Sequence, residues 1–171
     1  GPTRGQFDAL MTVKDTPAAP AWWWCDALFM AAPSWSGLYT VTGNKAYLDY
    51  MDRQWWASSD FLYDPHEHLY FRDSNFFTKR EKNGQKVFWS RGNGWVMAGL
   101  ARVLDGLPKD YPTRPKYVNQ YKEMAARLAS IQSPDGLWRP GLLDAQAYDV
   151  PEISGSGFFV YALAWGVNQG I

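Results

Sequence analysis

The fold is decided by the stretch WCDALFMA at residues 24–31, and two similar stretches follow it along the chain. They read RGNGWVMA at 91–98 and SGSGFFVY at 154–161. Aligning Asp26 with Asn93 and Ser156 gives spacings of 67 and 63 residues. Each stretch opens with small or polar residues and continues as an apolar helix without a polar face, which is typical of a buried helix. The pattern predicts an internal repeat, with buried helices beginning near those three residues.

A second kind of helix is predicted between the buried ones, at 45–61 and 114–132. Both segments are amphipathic. In the later one the apolar residues recur at helical spacing: Tyr117, Tyr121, Met124, Ala125, Leu128 and Ile131. A turn-rich loop follows each segment, at 63–70 and 132–138. The repeat unit is therefore a buried helix, a turn, an amphipathic helix and a loop, about 65 residues in all.

Alternating buried and amphipathic helices are what a ring of α-hairpins requires, with an inner and an outer layer. The sequence thus predicts an all-α fold, an α/α toroid, with the N-termini of the buried helices on one face. Pro33 should either kink the first buried helix or lie in its first turn. Residues 1–171 hold about 2.6 units and are predicted to form one partial toroid domain. Its open ends should expose apolar flanks, so we expect self-association or a missing remainder that covers them.

Composition excludes several classes of protein. Lysine and arginine number 17, as do aspartate and glutamate, so the chain has no surplus of positive charge for binding nucleic acid. No apolar run approaches the roughly 18 residues of a membrane span, and the lone Cys25 excludes an internal disulfide and a cysteine-based zinc site. Aromatic residues make up 17% of the chain, which fits either a tryptophan-rich core or a cleft that stacks on sugar rings.

Asp26 is the only ionisable carboxylate in the apolar run 21–30. Burying a charge there is costly, so the group tends to keep its proton, as a general acid requires. The other interpretation is an N-cap residue that accepts hydrogen bonds from the helix it precedes. The sequence leaves both open.

Two arginines are further candidates for a ligand site. Arg91 lies beside glycines at the start of a buried helix, where it could bind a carboxylate or cap a neighbouring helix. Arg72 is predicted on the same face, either as a ligand-binding residue or in a solvated ion pair. His66 and His68 suggest a metal site, but no third ligand stands at a suitable spacing, so we predict no metal.

Three motifs together resemble a known family. WWCDALFMA (23–31), FWSRGNGW (88–95) and SGSGFFVYALAWGVNQG (154–170) are similar to the unsaturated rhamnogalacturonyl hydrolases of glycoside hydrolase family 105, and to the related unsaturated glucuronyl hydrolases of family 88. The resemblance implies a ring of six α-hairpins. About half of that ring would be present here, namely its middle and later part.

The resemblance also implies a reaction and the residues that perform it. Such enzymes remove a 4,5-unsaturated uronic acid from the non-reducing end of pectin-derived rhamnogalacturonan oligosaccharides, by hydrating the C4=C5 double bond. One carboxylic acid can serve both proton transfers, and no cofactor is expected. The motifs place Asp26 as the catalytic acid, with Trp24, Arg91 and Trp95 in substrate binding, and Arg72 where some members carry a histidine.

The resemblance leaves part of the site unaccounted for. A second aspartate and a histidine that the family supplies from earlier hairpins have no counterpart in this chain. The alternative is therefore a non-catalytic saccharide-binding or structural fragment of a toroid. Bacterial enzymes of this kind act in the cytoplasm or the periplasm, and a single free cysteine fits a reducing interior slightly better.

Overall fold

The computed structural model describes residues 3–16 and 18–171, and this part of the chain is mainly helical. Its helices are α1 Arg4–Leu10, α2 Ala27–Met30, α3 Ala32–Thr42, α4 Ala46–Leu62, α5 Ser90–Gly106, α6 Arg114–Ser130 and α7 Ile153–Gln169. Two short strands, β1 Tyr63–Asp64 and β2 Leu69–Tyr70, and two 3₁₀ turns, Ser74–Phe76 and Ala145–Ala147, lie in the loops. Among these helices, none combines the length and hydropathy needed to cross a bilayer. The all-α prediction is confirmed.

The outer helices lie where the amphipathic pattern predicts them. The segments 45–61 and 114–132 are α4 and α6, with ends that agree within two residues. A short turn joins α3 to α4, and Gly43 allows it because its φ is 69°, a left-handed value that glycine adopts without strain. Such a short connection makes α3 and α4 antiparallel neighbours, the hairpin that the repeat requires.

The first buried helix is interrupted. Its two pieces, α2 and α3, meet at Ala31, and Pro33 is the second residue of α3. A proline is tolerated there because the first turn of a helix has no partner for the missing N–H. The predicted position of Pro33 is thus confirmed.

The second inner helix, α5, forms the centre of the core. Twelve of its 17 residues are buried, and it packs against α2, α3, α6 and α7. Glycines permit the close approach: a Cβ at Gly94 would lie 3.0 Å from the Cα of Gly155, and one at Gly99 would lie 2.7 Å from the carbonyl oxygen of Leu28. The helix begins at Ser90, three residues before Asn93, because the glycine-rich opening of the motif is itself helical.

The third inner helix, α7, departs from its prediction of complete burial. It begins at Ile153, and one side of it exposes Ile153, Val160, Tyr161 and Val167. Within the described residues no element covers that side. The helix is apolar all round, yet this chain buries only one flank, which is the exposure expected of an open ring.

Asn93 and Ser156, which align in the repeat, make similar hydrogen bonds in the second and third units. The side chain of Asn93 accepts a hydrogen bond from the Tyr70 N–H at 2.8 Å and donates one to the Tyr70 carbonyl oxygen at 3.0 Å. The hydroxyl of Ser156 accepts a hydrogen bond from the Trp138 N–H at 3.0 Å. Each residue thereby ties the loop of the preceding outer helix to the start of the next inner helix. These contacts support the internal repeat.

Candidate active site

Asp26 immediately precedes α2 and is half-buried. Its side chain accepts no hydrogen bond from the helix backbone, so the geometry does not support the N-cap interpretation. Among the described residues its hydrogen-bond partner is the thiol of Cys25, which donates from Sγ to Oδ1 over 3.3 Å. Asp26 therefore does not act as a helix N-cap, and its catalytic role stays a prediction.

Cys25 connects this carboxylate to the neighbouring loop. Burial raises the pKa of the Cys25 thiol well above its usual range, and the negative charge of Asp26 raises it further. The thiol therefore keeps its proton at neutral pH and can act as a donor. The backbone N–H of Cys25 donates to the carbonyl oxygen of Arg72 over 2.9 Å, which fixes the two segments to each other.

The two predicted arginines both lie close to one indole ring. The guanidinium carbon of Arg91 is 4.4 Å from the ring centre of Trp89, and that of Arg72 is 5.9 Å from it. Arg91 also donates to Glu152 over 3.0 Å, and Arg72 lies 3.4 Å from Asp73. Both arginine side chains remain nearly half exposed, at 43% for Arg91 and 49% for Arg72, so they are accessible from the solvent.

An open cavity of about 410 Å³ contains both arginines, a volume in the range of small-molecule sites. It is lined by Arg72, Phe76, Glu81, Val87, Trp89, Arg91, Pro140 and Tyr148. The hydroxyl of Tyr148 donates to Glu81 over 2.9 Å, and burial, reinforced by the charge of Glu81, raises the pKa of Tyr148 to about 12. The cavity thus offers two cations, an aromatic wall and a carboxylate–phenol pair.

The N-termini of the inner helices meet beside this cavity, as predicted. A Cβ at Gly92 would lie 2.9 Å from the Cys25 thiol, and Gly94 and Gly155 are in contact. The start of α5 is therefore in contact with both the turn that carries Asp26 and the start of α7.

Asp26 and the two tryptophans assigned to substrate binding are not among the residues that line this cavity. Trp95 packs between Phe158, at 4.2 Å between ring centres, and Phe29, at 4.7 Å. Trp24 packs against Trp23 at 4.9 Å. Both are half-buried, and protein rings already contact part of their surface. Their contact with substrate remains a prediction.

Sequence reasoning missed part of the cavity. Trp89 belongs to the motif at 88–95, but its contact with both arginines had no signal in the sequence. Glu81 and Tyr148 come from two loops 67 residues apart, and neither residue belongs to a motif that marks it as part of a site. The histidine loop holds no evident metal site: His66 is exposed, and His68 lies 3.6 Å from Glu123. Within 3–16 and 18–171, no group of three or more metal-ligating side chains occurs.

A family model described as Glycosyl Hydrolase Family 88 matches residues 7–171. The chain belongs to glycosyl hydrolase family 88. This assignment covers the site residues and all three repeated stretches, and it confirms the resemblance that the motifs indicate.

Relatives of the family 88 chain are consistent with this assignment. The unsaturated 3S-rhamnoglycuronyl hydrolase of Formosa agariphila (strain DSM 15362 / KCTC 12365 / LMG 23005 / KMM 3901 / M-2Alg 35-1) is 48% identical over 156 residues, which are 88% of this chain and 41% of the relative. A solved structure described as a polysaccharide lyase is 39% identical, with a TM-score of 0.91 over 98% of this chain and 47% of that one.

Family 105 is also represented among the similar structures. A family 105 glycoside hydrolase from C. acetobutylicum ATCC 824 is 26% identical, with a TM-score of 0.74 over 86% of this chain and 43% of that one. The α/α toroid class is thereby confirmed. The family 88 chain spans less than half the length of each of these three proteins.

Proposed function

We propose that the protein carrying this chain is a glycoside hydrolase that removes a 4,5-unsaturated uronic acid from the non-reducing end of rhamnose-containing oligosaccharides. Membership of family 88 and the name of the Formosa relative support this activity. The observation that carries it is the placement of the Asp26 carboxylate, which does not cap a helix. The turn that holds Asp26 contacts the loop of Arg72 and the start of α5, which holds Arg91. Both of these arginines line one cavity.

The proposed chemistry uses one carboxyl group twice. Protonated Asp26 donates its proton to C4 of the double bond, which leaves an oxocarbenium-like centre at C5. The resulting carboxylate then takes a proton from water as the water oxygen bonds to C5. The hemiketal opens and releases the remaining saccharide, and Asp26 is protonated again. No second carboxylate at a fixed separation is required, unlike in most glycosidases.

The arginines are proposed to bind the acidic sugar. Arg91 can form a bidentate pair with the uronate carboxylate, because its side chain is nearly half exposed and its guanidinium lies over the Trp89 ring. Arg72 adds a second positive charge near the same Trp89 ring. Trp24 and Trp95 are proposed to line the sugar site with their remaining exposed surface.

The proposed substrate class combines two indications. The motif resemblance implies a rhamnogalacturonyl substrate from pectin, and the Formosa relative is named for a rhamnoglycuronyl substrate. Both pair a uronic acid with rhamnose. We therefore propose rhamnose as the sugar next to the unsaturated uronic acid, and the assay below compares both backbones.

The experiment follows the ultraviolet absorbance of the conjugated double bond in oligosaccharides made by lyase treatment of rhamnogalacturonan and of rhamnoglycuronan. The full-length polypeptide that carries this chain should lower the absorbance, because hydration consumes the double bond. A polysaccharide lyase, as one similar structure is described, would raise it on intact polysaccharide. Unchanged absorbance on both oligosaccharides would contradict the proposed function and favour the non-catalytic alternative.

A further inference from the structure

Cys25 lies where the three segments that carry the candidate site residues meet. Its side chain is fully buried. Its thiol donates to Asp26 over 3.3 Å, and its backbone N–H donates to the carbonyl oxygen of Arg72 over 2.9 Å. The thiol also fills the space beside Gly92, where a Cβ would lie only 2.9 Å from the sulfur, and Gly92 follows Arg91 directly.

We propose that Cys25 is a positioning residue whose thiol holds the Asp26 carboxylate in the orientation needed for proton transfer to substrate. The inference rests on the proposed function of Asp26. Within the described part of the chain, the helix backbone donates nothing to this carboxylate, and the thiol is the side-chain donor that reaches it. A thiol is a weak donor, but in a buried site even a weak hydrogen bond restricts the rotamer of its acceptor.

Gly92 is part of the same arrangement. A Cβ at this position would lie 2.9 Å from the Cys25 sulfur and 2.8 Å from an edge carbon of the Trp89 ring. Any larger residue would push the thiol away from its place or displace the ring that both arginines contact. The absence of a side chain at 92 therefore lets the sulfur occupy the site from which it reaches Asp26.

The test compares Cys25→Ala and Cys25→Ser in the full-length polypeptide. Both variants shrink the side chain, but only serine keeps a donor. We expect the alanine variant to lose about tenfold in kcat, because a misplaced catalytic group slows the chemical step. Its KM should stay unchanged, because the backbone bond to Arg72 survives the substitution. The serine variant should recover most of the lost kcat.

The control is Val103→Ala, which also truncates a fully buried side chain but lies near the opposite end of α5 from Arg91. It should lower the melting temperature without lowering kcat. Equal losses in the alanine and serine variants, no loss in either, a change confined to KM, or an equal loss of kcat in the valine control would each overturn the proposal. If the alanine variant does not fold, a serine variant with near-wild-type kcat supports the proposal, and a tenfold loss overturns it.

Asp26→Asn, assayed alongside, distinguishes the role of Cys25 from the role of Asp26. A dead Asp26→Asn enzyme with unaffected cysteine variants overturns only the role of Cys25. An active Asp26→Asn enzyme overturns the catalytic role of Asp26 and the role of Cys25 that depends on it, whereas the proposed hydrolase activity fails only if the wild type leaves the double bond intact.

Discussion

Asp26 and Arg91 each form a hydrogen bond with one neighbouring side chain and stay partly exposed to solvent. Asp26 contacts the buried Cys25 thiol and remains half-buried, and Arg91 pairs with Glu152 while its side chain stays 43% exposed. Glu152 in turn accepts a hydrogen bond from the Gly155 N–H at the start of α7. One carboxylate therefore both caps a helix and orients the arginine that is proposed to bind substrate.

Arg91→Ala should weaken substrate binding more than it slows the chemical step. Its guanidinium is proposed to contact the uronate carboxylate before and during the reaction, so its loss should raise KM about tenfold or more while kcat changes little. Steady-state kinetics on the unsaturated disaccharide measure both constants. Arg139→Ala is the matched control, because that arginine pairs with Asp135 outside the cavity and should leave both constants unchanged. A drop in kcat at constant KM would contradict the binding role of Arg91.

The hairpin β1–β2 is stabilised by the buried Asp64. Burial alone would raise the pKa of this carboxyl, but the Lys86 ammonium and the backbone N–H groups of His66 and Glu67 outweigh it and lower the pKa below its usual value. Asp64 therefore contributes stability above its unfolded-state pKa of about 3.9, and that contribution is lost as the pH falls through its lower folded-state value.

Asp64→Asn should lower the free energy of unfolding at neutral pH by about 1–3 kcal/mol, because it leaves the Lys86 ammonium without its partner. The difference from the wild type should shrink as the pH falls through the lowered folded-state pKa of Asp64, where the wild-type carboxyl is itself protonated. Denaturant unfolding at a series of pH values measures it. Asp135→Asn removes an exposed ion pair and should have little effect at any pH. A deficit for Asp64→Asn that does not depend on pH would contradict this account.

The helices could be predicted from the sequence, and much of the cavity could not. The boundaries of α4 and α6 follow from the spacing of apolar residues, and Pro33 marks the break in the first inner helix. Glu81 and Tyr148 meet only because two loops fold over the starts of α5 and α7, which no local pattern encodes. The sequence predicted that the open ends expose apolar flanks, but not which side of α7 stays exposed, because an apolar pattern does not say which neighbour covers each side.

At the scale of the whole molecule, the exposed side of α7 is its most distinctive feature. Ile153, Val160 and Val167 stand along one side of the helix, with more than half of each side chain exposed. Apolar stripes of this kind are normally covered by a neighbouring hairpin or by another molecule. We propose that further hairpins cover it in the complete ring.

The 171-residue chain by itself should therefore self-associate. Light scattering should show oligomers that decrease when Val160→Glu and Val167→Lys place charges on the exposed side of α7. Val41→Lys is the matched control, because this isolated valine on α3 is 85% exposed and its replacement should leave the oligomers unchanged. A monodisperse monomer at high concentration would contradict the expectation.

The central claim, that Asp26 supplies the proton, is tested most directly by the kcat of Asp26→Asn in the full-length polypeptide on the unsaturated disaccharide. Asparagine keeps the shape of the side chain but cannot donate a proton to C4. The kcat should therefore fall by roughly 10²–10⁴-fold or more, since that is the typical contribution of one general acid–base group. Substrate binding should be largely kept. A near-normal kcat in this variant would show that Asp26 is not the catalytic acid.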